Sequence, residues 1–217
     1  MHIAIIMDGN RRWAKKNGWK KILGHKTGMD VLEEVLDWCP KYNIDVFTIY
    51  ALSTENLKRD NEELNNLFDL IKEFAQKKDR FKKDNIQVKI MGSIGDIRKD
   101  SAESLKILEE FTKNCDGLKF QICVAYGGRD EIVRSVKNLI KNKEDITEES
   151  ISKNLDSSLE PDLIIRTGGH KRLSNFLMWQ SAYSDFLFLD KMWPEFEEKD
   201  LKDAVEYLKK EQKNFGK

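Results

Sequence analysis

The residues best suited to chemistry stand in four short clusters. The first is Asp8-Gly9-Asn10-Arg11-Arg12-Trp13, a carboxylate, a glycine and two arginines closing an apolar run. A carboxylate beside guanidiniums where a helix begins suits an anion, or a metal ion held against an anion, and backbone N–H groups add to it. The second is Ser53-Thr54-Glu55-Asn56-Leu57-Lys58-Arg59, where hydroxyls, an amide and a guanidinium crowd together. Helix capping and turn polarity account for Ser53 or Asn56 alone, but not for Arg59. The third is Tyr126-Gly127-Gly128-Arg129-Asp130. The fourth runs from Arg166-Thr167-Gly168-Gly169 through His170-Lys171-Arg172-Leu173-Ser174-Asn175, with no acid between Asp162 and Asp185. Together they suit one or two diphosphates, with Asp8 holding a divalent cation against them. Gly24-His25-Lys26-Thr27-Gly28 imitates the end of a P-loop, but His25 separates Gly24 from Lys26, so an ATP-cradling loop is not expected. A phosphate contact from His25 or its backbone is the reading left.

Such clusters need a scaffold that brings chain-distant tips together. Short apolar runs at Ile3–Met7, Val46–Leu52, Ile86–Met91, Leu118–Tyr126, Leu163–Thr167 and Phe186–Leu189 read as strands, several of them buried on both faces. Helical stripes lie between them: Leu64, Leu67, Phe68, Ile71 and Phe74 in a helix over Leu64–Phe81; Ala102 to Phe111; Val133, Val136, Leu139 and Ile140; and Leu201 to Leu208. The alternation predicts an α/β fold, a single domain over 1–217 with a mostly parallel six-stranded sheet flanked by helices. Ligands in such sheets bind beyond the carboxyl ends of the strands, where all four clusters fall.

Composition narrows the function classes. The 217 residues carry 38 Lys plus Arg and 38 Asp plus Glu, a zero balance that argues against a nucleic-acid coat held by bulk charge. The zero conceals segregation: Gly9 to Met29 holds Arg11, Arg12, Lys15, Lys16, Lys20, Lys21 and Lys26 and no acid. Lys15, Lys16 and Lys20 read as a solvated face, Arg12 as functional. Cys39, Cys115 and Cys123 form no C-x-x-C pair and read as reduced core residues of a cytosolic protein. With His2, His25 and His170 as the only histidines, a His-rich zinc site is not expected. No run approaches the ~18 apolar residues of a membrane span, and Asp8 interrupts the N-terminal apolar run before a signal-peptide core is complete.

In order along the chain, Met7-Asp8-Gly9-Asn10-Arg11-Arg12-Trp13-Ala14, Gly24-His25-Lys26-x-Gly28, Tyr50-Ala51-Leu52-Ser53-Thr54-Glu55-Asn56, Tyr126-Gly127-Gly128-Arg129, Asp162-Leu163-Ile164-Ile165-Arg166-Thr167-Gly168-Gly169 and Arg172-Leu173-Ser174-Asn175-Phe176-Leu177-x-Trp179-Gln180-x-Ala182-Tyr183 closely resemble the cis-prenyltransferases of the bacterial undecaprenyl diphosphate synthase type, from His2 to about Phe196. The resemblance implies sequential condensation of isopentenyl diphosphate onto an allylic diphosphate such as farnesyl diphosphate, with cis double bonds, to a long polyprenyl diphosphate that carries cell-wall glycans. It further implies Mg²⁺, a homodimer, a hydrophobic tunnel, and a cytoplasmic enzyme with transient contact at the inner face of the membrane through its product.

Carried over by motif, Asp8 is the metal-linked catalytic acid, and Gly9, Asn10, Arg11, Arg12, Trp13, Lys21 and His25 surround the allylic substrate. Ser53, Thr54, Glu55, Asn56, Leu57 and Arg59 form the catalytic loop, and Arg166, Arg172, Leu173 and Ser174 hold isopentenyl diphosphate. Asn56 is the family's proton acceptor, but an amide is a poor base, which suits it better to positioning. The sequence departs from the family's habit at Arg11 (often glycine), Leu57 (often aromatic), His170-Lys171 (often Glu-His) and Asp185 (a glutamate, here one methylene shorter, expected at the metal). No Asp-Asp dipeptide occurs, so the aspartate-rich metal motif of trans-type synthases is missing. Leu67, Leu70 and Phe74, with Ala51, Ile86 and Leu118, either pack as ordinary core or line the tunnel. Two alternatives use the same fold without turnover, a non-catalytic partner subunit and a diphosphate-binding module. Loss of Asp8, Asn10 or Arg166 would mark the first, and all three are present.

Overall fold

A computed structural model describes residues 1–210; the last seven residues of the expected domain lie outside them. Six strands form one sheet: β1 (His2–Ile6), β2 (Val46–Ser53), β3 (Gln87–Met91), β4 (Lys119–Tyr126), β5 (Leu163–Arg166) and β6 (Asp185–Phe188). Each coincides with an expected apolar run, shifted by a residue or so. Their order is β3-β4-β2-β1-β5-β6, and every pairing is parallel. The central strands are continuous apolar runs because helices cover both faces, so neither face selects polar residues. In β1 all five residues are buried, and in β5 all four.

Around the sheet lie α1 (Asn10–Lys16), α2 (Lys21–Trp38), α3 (Asn61–Gln76), α4 (Lys78–Lys83), α5 (Lys99–Thr112), α6 (Gly128–Asn142), α7 (Glu148–Asn154) and α8 (Glu198–Lys210). The helix expected over Leu64–Phe81 is two helices. Lys77 leaves helical geometry at ψ 22°, and the chain turns. Arg80 then reaches Glu33 at 2.5 Å and Asp37 at 2.7 Å on α2, while Phe81 swings inward to stack on Phe120. The stripe on α6 also differs from expectation. Its inward residues are Glu131, Ser135 and Leu139, whereas Val133 and Ile140 are 49% and 62% exposed. Cys39 and Cys123 are buried as expected; Cys115 is only half-buried, and all three are free thiols.

One polar chain crosses this apolar interior. His2 on β1 meets the Thr48 hydroxyl on β2 at 2.7 Å, Thr48 donates to Gln121 on β4 at 3.0 Å, and Gln121 donates to Ser157 at 2.8 Å. From there Gln180 donates to the Ser157 carbonyl at 3.0 Å and to Glu131 at 3.2 Å, and Glu131 also accepts from Tyr126. All seven side chains are buried. Burying them is tolerable because each side chain makes at least one hydrogen bond, with only His2 Nδ1 and Gln180 Oε1 left without a partner among the described residues. Among the described residues no helix is long and apolar enough to cross a membrane.

Candidate active site

Parallel strands put all their carboxyl ends on one side, and a cleft of about 860 Å³ opens there. Asp8 stands on its floor. Arg166, on the tip of β5 and 5% exposed, donates from Nη2 to Asp8 Oδ2 at 2.9 Å. Arg12, in the first turn of α1, donates to Oδ1 at 3.2 Å. Burial alone would push the Asp8 carboxyl up, but the hydrogen bond and charge of Arg166, with Arg12 behind, hold it below the ordinary carboxylate value. The Asp8 backbone is fixed as well, its carbonyl accepting from Thr167 Oγ1 at 2.7 Å and from Trp193 N at 3.0 Å.

Two glycines make this geometry possible. Gly9 turns the chain from β1 into α1 at φ 114°, and a Cβ there would meet Met192 Cβ at 2.8 Å. Gly168 sits at φ 82°, where a Cβ would lie 2.5 Å from Arg12 Nη2. Side chains rarely adopt such backbone angles. The glycines of the P-loop-like segment serve packing instead. A Cβ on Gly24 would strike the Asn10 carbonyl at 2.2 Å, and one on Gly28 the Asn10 side chain at 2.3 Å, so both allow α2 to lie close on α1.

Behind the cations of the cleft stands a second charged group that the sequence reading missed. Glu63, in the first turn of α3, has a side chain only 6% exposed, yet it accepts from Arg59 Nη1 at 2.9 Å and from Lys21 Nζ at 3.2 Å. Arg11 Nη1 lies 3.6 Å away and His25 Nε2 3.9 Å away. Burial, then the charge of Arg59, hold the His25 pKa down to about 4, so the ring is neutral near pH 7. Its Nε2 is buried without a partner, as is Asn10 Oδ1, and both residues line the cleft. Glu63 was hidden because it also looks like an N-terminal helix acid three residues after the Asp60 cap, which accepts from Glu63 N at 2.8 Å. The available signal was its i, i+4 spacing from Arg59.

The loop after β2 closes a third side. Asn56 N donates to Ser53 Oγ at 3.1 Å and Ser53 N to Asn56 Oδ1 at 3.3 Å, so each side chain grips the other's backbone. Register shifts between β2 and β4 at Tyr50, Leu52 and Ser53, with Ala125 at φ 47°, aim this loop into the cleft. Ser174, at φ 51°, receives Arg166 Nη1 on its hydroxyl at 2.8 Å.

Several expected residues stand outside the cleft lining. Trp13 packs edge-on against Trp19, with ring centroids 5.1 Å apart. Thr54 ties the loop down, its N donating to the Tyr126 carbonyl at 3.0 Å, and Leu57 packs on the core. Glu55 and Leu173 line a neighbouring pocket with Arg129. Arg172 is exposed, and it is its carbonyl that meets Arg166. Asp185 begins β6, level with Leu163 and Ile3 at the opposite end of the sheet. Strand rise and spacing put it on the order of 15 Å from Asp8, so within one chain the two expected metal ligands are not brought together.

No three His, Cys, Asp or Glu side chains converge on a metal position among the described residues. Among the described residues, Asp8 is the only acid lining the cleft. Its donor chemistry fits Mg²⁺ of one kind, the ion that takes one or two carboxylates and completes its shell with phosphate oxygens and water.

Behind the charged cleft lies an apolar pocket of about 70 Å³, reached past Met7, Asn10, His25, Ala51 and Leu67, which line both. Its inner wall is Leu70, Ile71, Phe74, Leu105, Ile122 and Val124. Leu67, Leu70, Phe74 and Ala51 thus face it as one reading expected, while Ile86 and Leu118 pack in the core away from it.

A basic cleft with one acid among its described lining residues thus opens onto an apolar hole. The undecaprenyl diphosphate synthase family profile matches residues 6–216. The chain belongs to that family. An isoprenyl transferase of Aquifex pyrophilus is 41% identical over 219 residues, covering 99% of this chain and 95% of its own length. A tritrans,polycis-undecaprenyl-diphosphate synthase (geranylgeranyl-diphosphate specific) of Thermoplasma volcanium is 41% identical over 227 residues, covering 99% and 88%. The crystal structure of lavandulyl diphosphate synthase from Lavandula x intermedia, in complex with dimethylallyl diphosphate, superposes with a TM-score of 0.95 at 30% identity, covering 100% of this chain and 98% of that one.

Proposed function

We propose that this family member condenses isopentenyl diphosphate repeatedly onto an allylic diphosphate, farnesyl diphosphate being the expected primer, and so builds a long cis-polyprenyl diphosphate of the undecaprenyl class, the lipid carrier for cell-wall glycans. The observation that carries the reading is Asp8, held ionised between Arg166 and Arg12 in a basic cleft that opens past Met7, Asn10 and Ala51 onto an apolar pocket. Mg²⁺, held by Asp8 and diphosphate oxygens, would supply charge neutralisation on the leaving group.

The chain's own residues do the rest. The allylic C1–O bond breaks with its electron pair going to diphosphate, and Arg11, Arg12 and the α1 start offset the charge that develops there. Arg166 and Ser174 hold the second diphosphate, placing the isopentenyl double bond to attack C1. The new C–C bond leaves a cation that loses one proton and closes the next double bond. Asn56 Oδ1 is occupied by Ser53 N, so its free amide N–H₂ suits holding a phosphate oxygen, and the proton goes to diphosphate oxygen. The apolar lining from Ala51 to Phe74 receives the growing tail.

A homodimer is part of the reading. Val133 and Ile140 on α6, Tyr183 just before β6 and Phe186 on it are exposed apolar side chains that a second copy would cover. So is a cytoplasmic site of action with peripheral membrane contact as the product lengthens. Incubation with farnesyl diphosphate, labelled isopentenyl diphosphate and Mg²⁺, with products resolved by length, tests the proposal. Polyprenyl product from the wild type and at least a thousandfold loss in Asp8→Ala are expected. No product, or full activity in Asp8→Ala, would overturn it.

A further inference from the structure

The α1–α2 corner borders the substrate cleft and carries exposed groups beyond those the proposed reaction needs. Residues 17–20 join the two helices, and Trp19 projects from the joint, 50% exposed. It is held rather than dangling: its N donates to the Ala14 carbonyl at 2.8 Å, and its ring rests edge-on against Trp13. Leu23, in the first turn of α2 and four residues on in the chain, is 45% exposed. Either side chain exposed alone would be ordinary; what sets this corner apart is that both lie among unpaired cations.

Cations surround this apolar tip. Lys15, Lys16, Lys20, Lys21 and Lys26 are all exposed. The acids that reach them are few: Glu195 stands 3.6 Å from Lys16, and Asp60 and Glu63 stand 3.9 and 3.2 Å from Lys21. Lys15, Lys20 and Lys26 make no ion pair among the described residues. The first turn of α2 contains no acid either, so the positive end of the helix dipole adds to the charge rather than being offset. Trp19, Lys15 and Lys20 also form part of the rim of the substrate cleft.

We infer that the α1–α2 corner is a docking surface for an anionic lipid bilayer, with Trp19 and Leu23 entering the headgroup region and Lys15, Lys16, Lys20 and Lys26 meeting lipid phosphates. An indole with an apolar neighbour and flanking lysines is the composition that settles at a membrane interface. Docked this way, the mouth of the cleft lies against the bilayer. The inference rests on the proposed function in one respect, that a long hydrocarbon product needs a lipid phase to enter.

The test is flotation of the full chain with vesicles of phosphatidylcholine containing 30% phosphatidylglycerol, against vesicles of phosphatidylcholine alone. Binding is expected only to the anionic vesicles and is expected to weaken as salt rises. The triple variant K16Q/K20Q/K26Q is expected to lose on the order of a hundredfold in partition coefficient, about fivefold per lysine near an anionic surface. Leu23→Ser alone is expected to weaken binding severalfold while leaving condensation of water-soluble substrates unchanged. Brominated lipid should quench the tryptophan emission of the wild type and not that of Trp19→Phe. Equal binding to neutral vesicles, unchanged binding in the triple variant, or quenching that survives Trp19→Phe would overturn the inference. So would lipid-free self-association in sedimentation velocity that Leu23→Ser abolishes, because a second copy would then be what covers the corner. Vesicle binding by a protein that makes no polyprenyl product would leave the docking surface standing and remove the functional reading instead.

Discussion

Glu63 accepts a hydrogen bond from Arg59 at 2.9 Å from a side chain that is 6% exposed, and the same carboxylate steadies Lys21 and lies close to Arg11 and His25. One buried anion thereby sets the direction of the cations along one wall of the cleft. A buried charge survives only when well paired, and here the partners are the residues that a diphosphate needs.

Glu63→Gln is therefore expected to raise KM for the allylic diphosphate by on the order of tenfold with a smaller change in kcat. The amide keeps an acceptor for Arg59 but turns N–H donors toward Lys21, and losing one partner of a charge-assisted hydrogen bond costs roughly 1.5–3 kcal/mol. Steady-state kinetics in both substrates checks this. An unchanged or lower KM would mean that the gain in net positive charge outweighs the lost positioning.

Gly168→Ala and Gly169→Ala form a matched pair. Both positions have positive φ, 82° and 76°, so both substitutions strain the backbone by about 1–2 kcal/mol. Only the first puts a methyl 2.5 Å from Arg12 Nη2; at Gly169 the nearest atom, on Asp190, is 3.3 Å away. Similar losses of melting temperature are expected, with a much larger loss of kcat in Gly168→Ala. Equal activities would show that Arg12 does not need its present place.

Stability should decline on mild acidification. Burial, the leading cause at each, holds both His2 and His25 down to about 4. Below the ordinary histidine value near 6.5 the unfolded chain takes up protons that the folded chain refuses, so stability is full above that pH and falls toward pH 4. Each ring contributes about 3 kcal/mol over that window. Urea denaturation at pH 7.5 and pH 5 measures the slope, and His25→Gln should flatten it. Bound diphosphate should raise the His25 pKa, visible in an NMR titration.

Phe74 and Leu118 separate two readings of the apolar stripe. Phe74→Leu enlarges the pocket wall and is expected to shift products to longer chains. Leu118→Ala removes core volume at a cost of about 2–5 kcal/mol but opens no wall of that pocket, so its products should keep their length. Product chromatography of the two variants decides between them.

Strand placement was legible because two-sided burial leaves a plain trace in runs such as Leu163–Arg166, and the tips of those runs carried Asp8, Arg166 and Ser174 into one cleft. Less legible were features that depend on direction. The break at Lys77 follows from Arg80 reaching for Glu33 and Asp37 on another helix, which no local pattern announces. The α6 stripe misled because apolar spacing cannot tell a face turned to the core from one turned outward. Asp185 lay near the others in motif but enters β6 at its far end, since a parallel strand separates its first residue from the tip side by its whole length.

The polar chain from His2 through Thr48 and Gln121 has a bearing on all of this. Apolar β-branched runs are nearly interchangeable when slid by two residues, so parallel strands of this kind carry little alignment information of their own. Thr48 and Gln121 stand directly opposite each other, and Thr48 opposite Ala4. A slip of any one strand would orphan several buried donors at once. These few side chains act as index marks, and the level at which Asp8, Ser53 and Tyr126 emerge at the rim is read off from them.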